Sequence, residues 1–147
     1  MILRRLLLGF VILLALIQLI RPARTNPPVA PGRAIDANLA IDPGVAAVFE
    51  RSCKDCHSYR TVWPWYSSVA PVSWLVIHDV NEGRGKVNLS EWSGYNSEEA
   101  HTLLNRMCRE VSEDGMPIFA YKVIHRNAVL SDADKKAICD WTQRASR

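Results

Sequence analysis

The chain opens with an unbroken apolar stretch and settles afterwards into helical periodicity. Leu6 to Ile20 is apolar except for Gln18, and it lies behind a short basic head with Arg4 and Arg5. At about 1.5 Å per residue these positions span roughly 22 Å, against about 30 Å of hydrocarbon, and Ile2 and Leu3 extend the stretch. A cleaved export signal would end in a small-x-small site, whereas Arg21-Pro22-Ala23-Arg24 follows here. The expectation is therefore a transmembrane anchor over residues 1–21, with a signal segment as the alternative. Residues 22–42 carry Pro22, Pro27, Pro28, Pro31 and Gly32 with no apolar period, which predicts an extended linker.

From residue 43 the apolar positions recur at three and four. Asp42-Pro43 offers a cap and a proline at the first helical position, and Val45, Val48 and Phe49 carry a first helix to Cys53. A second helix is predicted over Pro71–Asn81, with Trp74, Ile77 and His78 on one side and its end before Gly83. A third starts at Ser97, with Glu98 and Glu99 in its first turn and a stripe of Leu103, Leu104, Met107, Cys108 and Val111. Ser131 caps a fourth, whose Ala137, Ile138 and Trp141 face inward. No alternating strand pattern and no internal repeat occurs. The expected fold is all-α, with a body over 43–147. Its long connections, 58–70 and 116–130, have no regular core of their own and call for a buried group to order them.

Charge narrows the functions. Lys and Arg number 18 against 15 Asp and Glu, but residues 1–42 hold five of the cations and only Asp36 and Asp42. The body is left with 13 basic and 13 acidic residues and no basic run. Such a surface has nothing to track a phosphate backbone, and nucleic-acid binding is set aside.

The chemistry lies in Cys53-Lys54-Asp55-Cys56-His57, the CxxCH spacing of a c-type haem attachment site. On one helical turn the residues at i, i+3 and i+4 share a face, so two thiols can meet the two vinyl groups of a haem while an imidazole meets its iron. A thioredoxin-type pair would want a preceding strand, and the preceding stretch is helical. A zinc site would want a second ligand pair, and Cys108 and Cys139 stand 31 apart. The expected cofactor is one covalently attached haem c per chain, with Cys53 and Cys56 as attachment points and His57 as iron ligand.

For the second axial position the candidates are Met116, Met107, His78, His101 and His125. Met116 is favoured, because Asp114-Gly115-Met116-Pro117 puts a flexible thioether on a loop able to fold over the open face. Trp65, Tyr66, Trp74, His78 and Arg84 are candidate pocket residues, some of them for contact with a haem propionate. Cys108 and Cys139 either pair in an oxidising compartment, clipping the third helix to the last, or remain two buried thiols.

The body resembles a class I cytochrome c in its helix leading into CxxCH, its Met116-Pro117 59 residues after His57, and its closing helix with Trp141. It is more closely similar to the bacterial haem-binding domain proteins, through Ser52-Cys53-x-Asp55-Cys56-His57-Ser58, Pro64-Trp65-Tyr66, Ala70-Pro71-x-Ser73-Trp74, Asn81-Glu82-Gly83-Arg84, Asn88-x-Ser90-Glu91-Trp92 and Gly115-Met116-Pro117. That resemblance implies a cytochrome c-like domain of about four helices around a haem, behind one amino-terminal membrane helix, with His57 and Met116 on iron. The expected function is one-electron transfer by a carrier rather than an enzyme. It would have redox proteins and a membrane as partners and need no small-molecule substrate. The domain would sit on the extracytoplasmic side of the cytoplasmic membrane. An open axial position would instead make a gas or peroxide sensor, or a weak peroxidase.

Overall fold

Helix formation follows the caps and apolar spacing of the chain closely in the body and departs from them in the amino-terminal segment. The computed structural model describes residues 1–147 as α1 (Ile2–Ile17), α2 (Ile35–Asn38), α3 (Pro43–Ser52), α4 (Lys54–His57), α5 (Val72–Lys86), α6 (Ser97–Ser112), α7 (Phe119–Ile124) and α8 (Asp132–Ala145), with short 3-10 turns at Trp65–Ser68, Trp92–Gly94 and Arg126–Ala128. The protein is all-α. The four longer body helices are α3, α5, α6 and α8, and the remaining turns order the long connections.

Three of the four predicted starts have their physical cause on view. Pro43 begins α3, where its missing N–H costs nothing. Ser131 caps α8 in a reciprocal box with Asp134. For α6 the cap is Asn96 rather than Ser97, and its side chain accepts from the backbone of Glu98 and Glu99 while Glu99 reaches back. The prediction for α5 needs correction at its far end, because the helix runs through Gly83 and Gly85 to Lys86. Its inner face is Ser73, Ile77, Val80 and Gly83, so Trp74 and His78 do not share the buried side with Ile77.

The core is assembled mainly from α3, α6 and α8. Phe49 meets Trp141 edge to face, with ring centres 5.4 Å apart, and Val45, Val48, Leu104, Val111, Leu130 and Ile138 close around them. Trp141 donates its indole N–H to the Ala40 carbonyl. Cys108 of α6 and Cys139 of α8 are joined in a disulfide, with Cα atoms 4.7 Å apart.

The amino-terminal expectations are corrected. No helix is long and apolar enough to cross a membrane. Helix α1 has 16 residues, or about 24 Å at 1.5 Å per residue, and it stops at the one polar interruption of the apolar run. The Gln18 amide there both donates to the Ala70 carbonyl and accepts from the Ala70 N–H, at 3.0 and 2.9 Å. A membrane anchor, and with it the single-pass placement of the domain outside the cytoplasmic membrane, loses its basis.

The proline-rich stretch is not a free spacer either. Arg24 reaches Ser67 and Ser68, Asn26 donates to the Thr61 carbonyl, and the Trp74 indole donates to the Ile20 carbonyl. Ile35 enters the core, and its N–H bonds the Leu89 carbonyl at 2.8 Å. Residues 18–41 strap the body together.

Candidate functional site

The attachment motif folds as the spacing predicts, as a single turn. Helix α3 ends at Ser52, Cys53 caps α4, and the N–H groups of Cys56 and His57 both bond the Cys53 carbonyl. Asp55, between the cysteines, accepts from the Val62 N–H at 2.9 Å and from the Tyr121 hydroxyl at 2.8 Å. One carboxylate thereby ties the motif to both long connections. Burial and the Asp55 bond push the Tyr121 hydroxyl pKa well up, so it stays protonated as that donor.

His57 is held by α5 and the chain that follows it. Its Nδ1 lies 2.9 Å from the Gly83 carbonyl and 3.1 Å from the Val87 carbonyl, and its own carbonyl accepts from the Leu89 N–H at 2.7 Å. Two carbonyls at Nδ1 require the proton there, which leaves Nε2 with its lone pair free for a metal. Burial holds the His57 pKa below its ordinary value, against the two backbone bonds, so the ring is neutral and ready to ligate at neutral pH.

This contact needs Gly83. A Cβ at that position would stand 2.6 Å from the Cys56 carbonyl oxygen, so only a glycine lets α5 approach the motif.

His57 lines a cleft of two adjacent chambers, of about 370 and 260 Å³, that share Ser52, His57, Lys86, Met116 and Pro117 in their walls. The larger holds Cys53 and is lined by Phe49, Val87, Leu89, Leu103, Met107, Val111, Leu130 and Ile138. The smaller holds Cys56, with Asp79, Glu82, Gly83, Ile118 and Tyr121. Neither thiol is paired with the other. Burial pushes Cys53 up to about 12 and Cys56 up to about 11, the reverse of an activated redox pair. No three His, Cys, Asp or Glu side chains converge as a metal would need, so the zinc reading lacks its other ligands.

Met116 lies in the wall of both chambers and packs partly against the core. Its loop leaves α6 through Asp114 at φ 57°, and Lys135 of α8 grips the Asp114 carboxylate at 2.6 Å. The Met116 N–H closes the loop on the Glu110 carbonyl at 3.1 Å. Met107, read from the sequence as a core residue, also lines the larger chamber. The three other candidates are elsewhere: His78 is exposed beside Glu82, His101 lies near Asn105 on the surface, and His125 stacks on Tyr121 and meets the Tyr66 hydroxyl.

The five predicted pocket residues are not brought to the cleft wall. Trp65 is 79% exposed, Tyr66 is turned to His125, Trp74 bonds the amino-terminal strap, and His78 faces solvent. Arg84 donates to the Ser58 and Thr25 carbonyls, Asn26 and Thr61, which spends it on tying α5 to the motif and the strap. Sequence reasoning missed the His57 supports Gly83 and Val87, as well as Lys86, Arg106 and Tyr121 in the walls. The advance signals are slight: Gly83 marks the predicted stop of the second helix, and it stands in the Asn81-Glu82-Gly83-Arg84 block of the family resemblance.

Two thiols and a neutral imidazole on one turn, at the edge of an apolar cleft with a thioether in its wall, define an all-α tetrapyrrole-binding domain. The donor set and the apolar lining of the larger chamber fit that group. The haem-binding domain family model matches residues 12–144, and the chain belongs to that family. The match includes the whole of the proline-rich strap, in keeping with the packing of Ile35 and Asn26. No curated protein and no solved structure matches the chain.

Proposed function

We propose that this haem-binding protein is a monohaem c-type electron carrier. The observation that carries the reading is the seating of His57, whose Nδ1 lies within hydrogen-bond distance of the Gly83 and Val87 carbonyls while the ring lines the same cleft as Cys53, Cys56 and Met116. Cys53 and Cys56 are the residues that would hold the haem, each by a thioether, and His57 Nε2 and the Met116 sulfur are the groups that would bind its iron. When bound, the haem supplies a one-electron iron couple whose potential the thioether ligand raises.

The chain's own part is to keep that site unchanged between the two oxidation states. Gly83 and Val87 fix the imidazole orientation, and the apolar wall of Phe49, Leu103, Leu130 and Ile138 keeps water from the cleft. Asp55 and Tyr121 hold the two long connections on the motif. No proton transfer or bound substrate is required, and the partners are redox proteins that reach the open side of the cleft.

The full chain, produced in a host that attaches haem to CxxCH proteins, is expected to give a c-type spectrum whose colour survives denaturation. It should show a red-region Met-to-ferric band and no response to carbon monoxide. Cys53→Ala with Cys56→Ala should give a colourless product. A wild-type chain whose haem washes out on denaturation would overturn covalent attachment, and ready binding of carbon monoxide would overturn ligation by Met116.

A further inference from the structure

The larger chamber has an apolar wall but carries two cations, Lys86 on the last turn of α5 and Arg106 on α6. Both are exposed. Most cations around them are engaged: Lys54 with Glu50, Arg51 with Asp134, Lys135 with Asp114, and Arg84 with four oxygens. Lys86 and Arg106 have no ion-pair or side-chain hydrogen-bond partner. Glu110, one turn from Arg106 and in the same wall, pairs with Arg109 at 3.8 Å.

A haem is amphipathic, with a flat apolar body and two propionate carboxylates that are ionised at neutral pH. The body matches the walls formed by Phe49, Leu103, Met107 and Ile138. The carboxylates need counter-charge, because an ionised carboxylate at the edge of an apolar cleft is costly without a partner. Tyr66, Trp74 and Arg84 are spent on other groups, and Trp65 is away from the cleft.

We propose that Lys86 and Arg106 receive the two propionates of the haem, one from each wall of the cleft, and so set both its seating and its reduction potential. This rests on the haem reading above. Arg106 offers a planar fork suited to a carboxylate, and Lys86 a point charge on a flexible stem. Beyond the attachment residues Cys53, Cys56 and His57, the charged or titratable groups facing the two chambers are Glu110 of α6, Asp79 and Glu82 of α5, and Tyr121 of α7. Three of these are carboxylates, which would repel the propionates. The two cations therefore decide where the propionates go.

The test is the reduction potential of the haem-loaded full chain followed against pH, for the wild type, Lys86→Gln, Arg106→Gln and the double variant. Lys136→Gln is the control, since Lys136 pairs with Asp140 outside the cleft. Loss of a cation leaves a propionate charge uncompensated, which favours the ferric form. The potential should fall in each single variant and fall further in the double one. The acid-side inflection of the curve should rise by about one pH unit for each cation removed, and Raman bands of propionate bending should shift in the same variants. Lys86→Arg should restore the wild-type curve. A double variant that loads haem normally, yet gives the curve and bands of Lys136→Gln, overturns the assignment alone. A wild-type chain with no haem overturns the haem reading and this assignment with it.

Discussion

The two walls of the cleft are built on different principles. On the attachment side, α4 is held by backbone atoms: the Gly83 and Val87 carbonyls grip His57, the Leu89 N–H grips its carbonyl, and α5 lies so close that a methyl group at Gly83 has no room. On the far side, α6 and α8 are joined by a disulfide, and the Met116 loop is tied through its main chain and the Asp114–Lys135 ion pair, with no bond to the Met116 side chain itself. An imidazole has to present one nitrogen in one direction, so its supports are rigid. A thioether on three rotatable bonds adapts to its partner, so its loop needs only to be kept near. Orientation is controlled on one wall and distance on the other.

The largest effect expected is on the far wall. The disulfide spans 31 residues, and closing a loop of that size in the unfolded chain is worth about 3–4 kcal/mol on the entropic account. Cys108→Ala with Cys139→Ala should lower stability to denaturant by that order. The visible spectrum of the haem-loaded protein should change little, because neither cysteine lines the cleft. If the Met-to-ferric band disappeared while the fold remained, the far wall would be setting orientation as well, and the contrast between the walls would fail.

The attachment wall has an internal control two residues away from its tightest point. In Gly83→Ala the new Cβ stands 2.6 Å from a backbone oxygen, which cannot rotate aside, so overpacking of about 1–3 kcal/mol outweighs the gain of roughly 1 kcal/mol in helix propensity. Gly85 has nothing within 4 Å of its own missing Cβ. Gly85→Ala should therefore stabilise by about 0.5–1 kcal/mol in the same helix. Urea midpoints of the two variants should move in opposite directions, and haem attachment should fall only in Gly83→Ala. Equal midpoints would mean that α5 does not hold the motif.

That pair of glycines also shows what was legible beforehand. The CxxCH spacing, the caps at Pro43 and Ser131 and the apolar stripe of α6 are local, and the body followed them. Gly83 could be read only as a helix end, because its close neighbour, the Cys56 carbonyl, is distant in the chain and leaves no mark on composition. The support of His57 by Val87 was invisible for a related reason: the acceptor is a main-chain oxygen that every residue type carries. Proline content made residues 22–42 look like a linker, whereas the bonds of Arg24 and Asn26 and the burial of Ile35 depend on tertiary partners. The amino-terminal apolar run was read on hydropathy and near-sufficient length, and the helix proved too short once Gln18 turned to Ala70. Lys86 and Arg106 carry no mark in the sequence, and only the pairing of the other charges around the cleft sets them apart.

The smallest effect concerns the joint between the walls. Arg51 of α3 meets Asp134 of α8 at 2.7 Å, with about a quarter of each side chain exposed. Burial pushes the Asp134 carboxyl pKa up, but bonds from the Ser131 N–H and hydroxyl, then from Arg51, outweigh it and hold it below the usual value. A carboxyl depressed in the folded state adds stability at pH values above its unfolded pKa near 3.9. That stability is lost as pH falls through the folded value. Arg51→Met should therefore cost less than about 1 kcal/mol at pH 7, given its exposure. The gap between variant and wild type should stay nearly constant down to about pH 5 and shrink below the unfolded pKa. Denaturation midpoints of the haem-free chain at pH 7, 5 and 3.5 would check this. A gap that instead widened toward acid would show that the walls are joined by packing around Arg51 rather than by its charge.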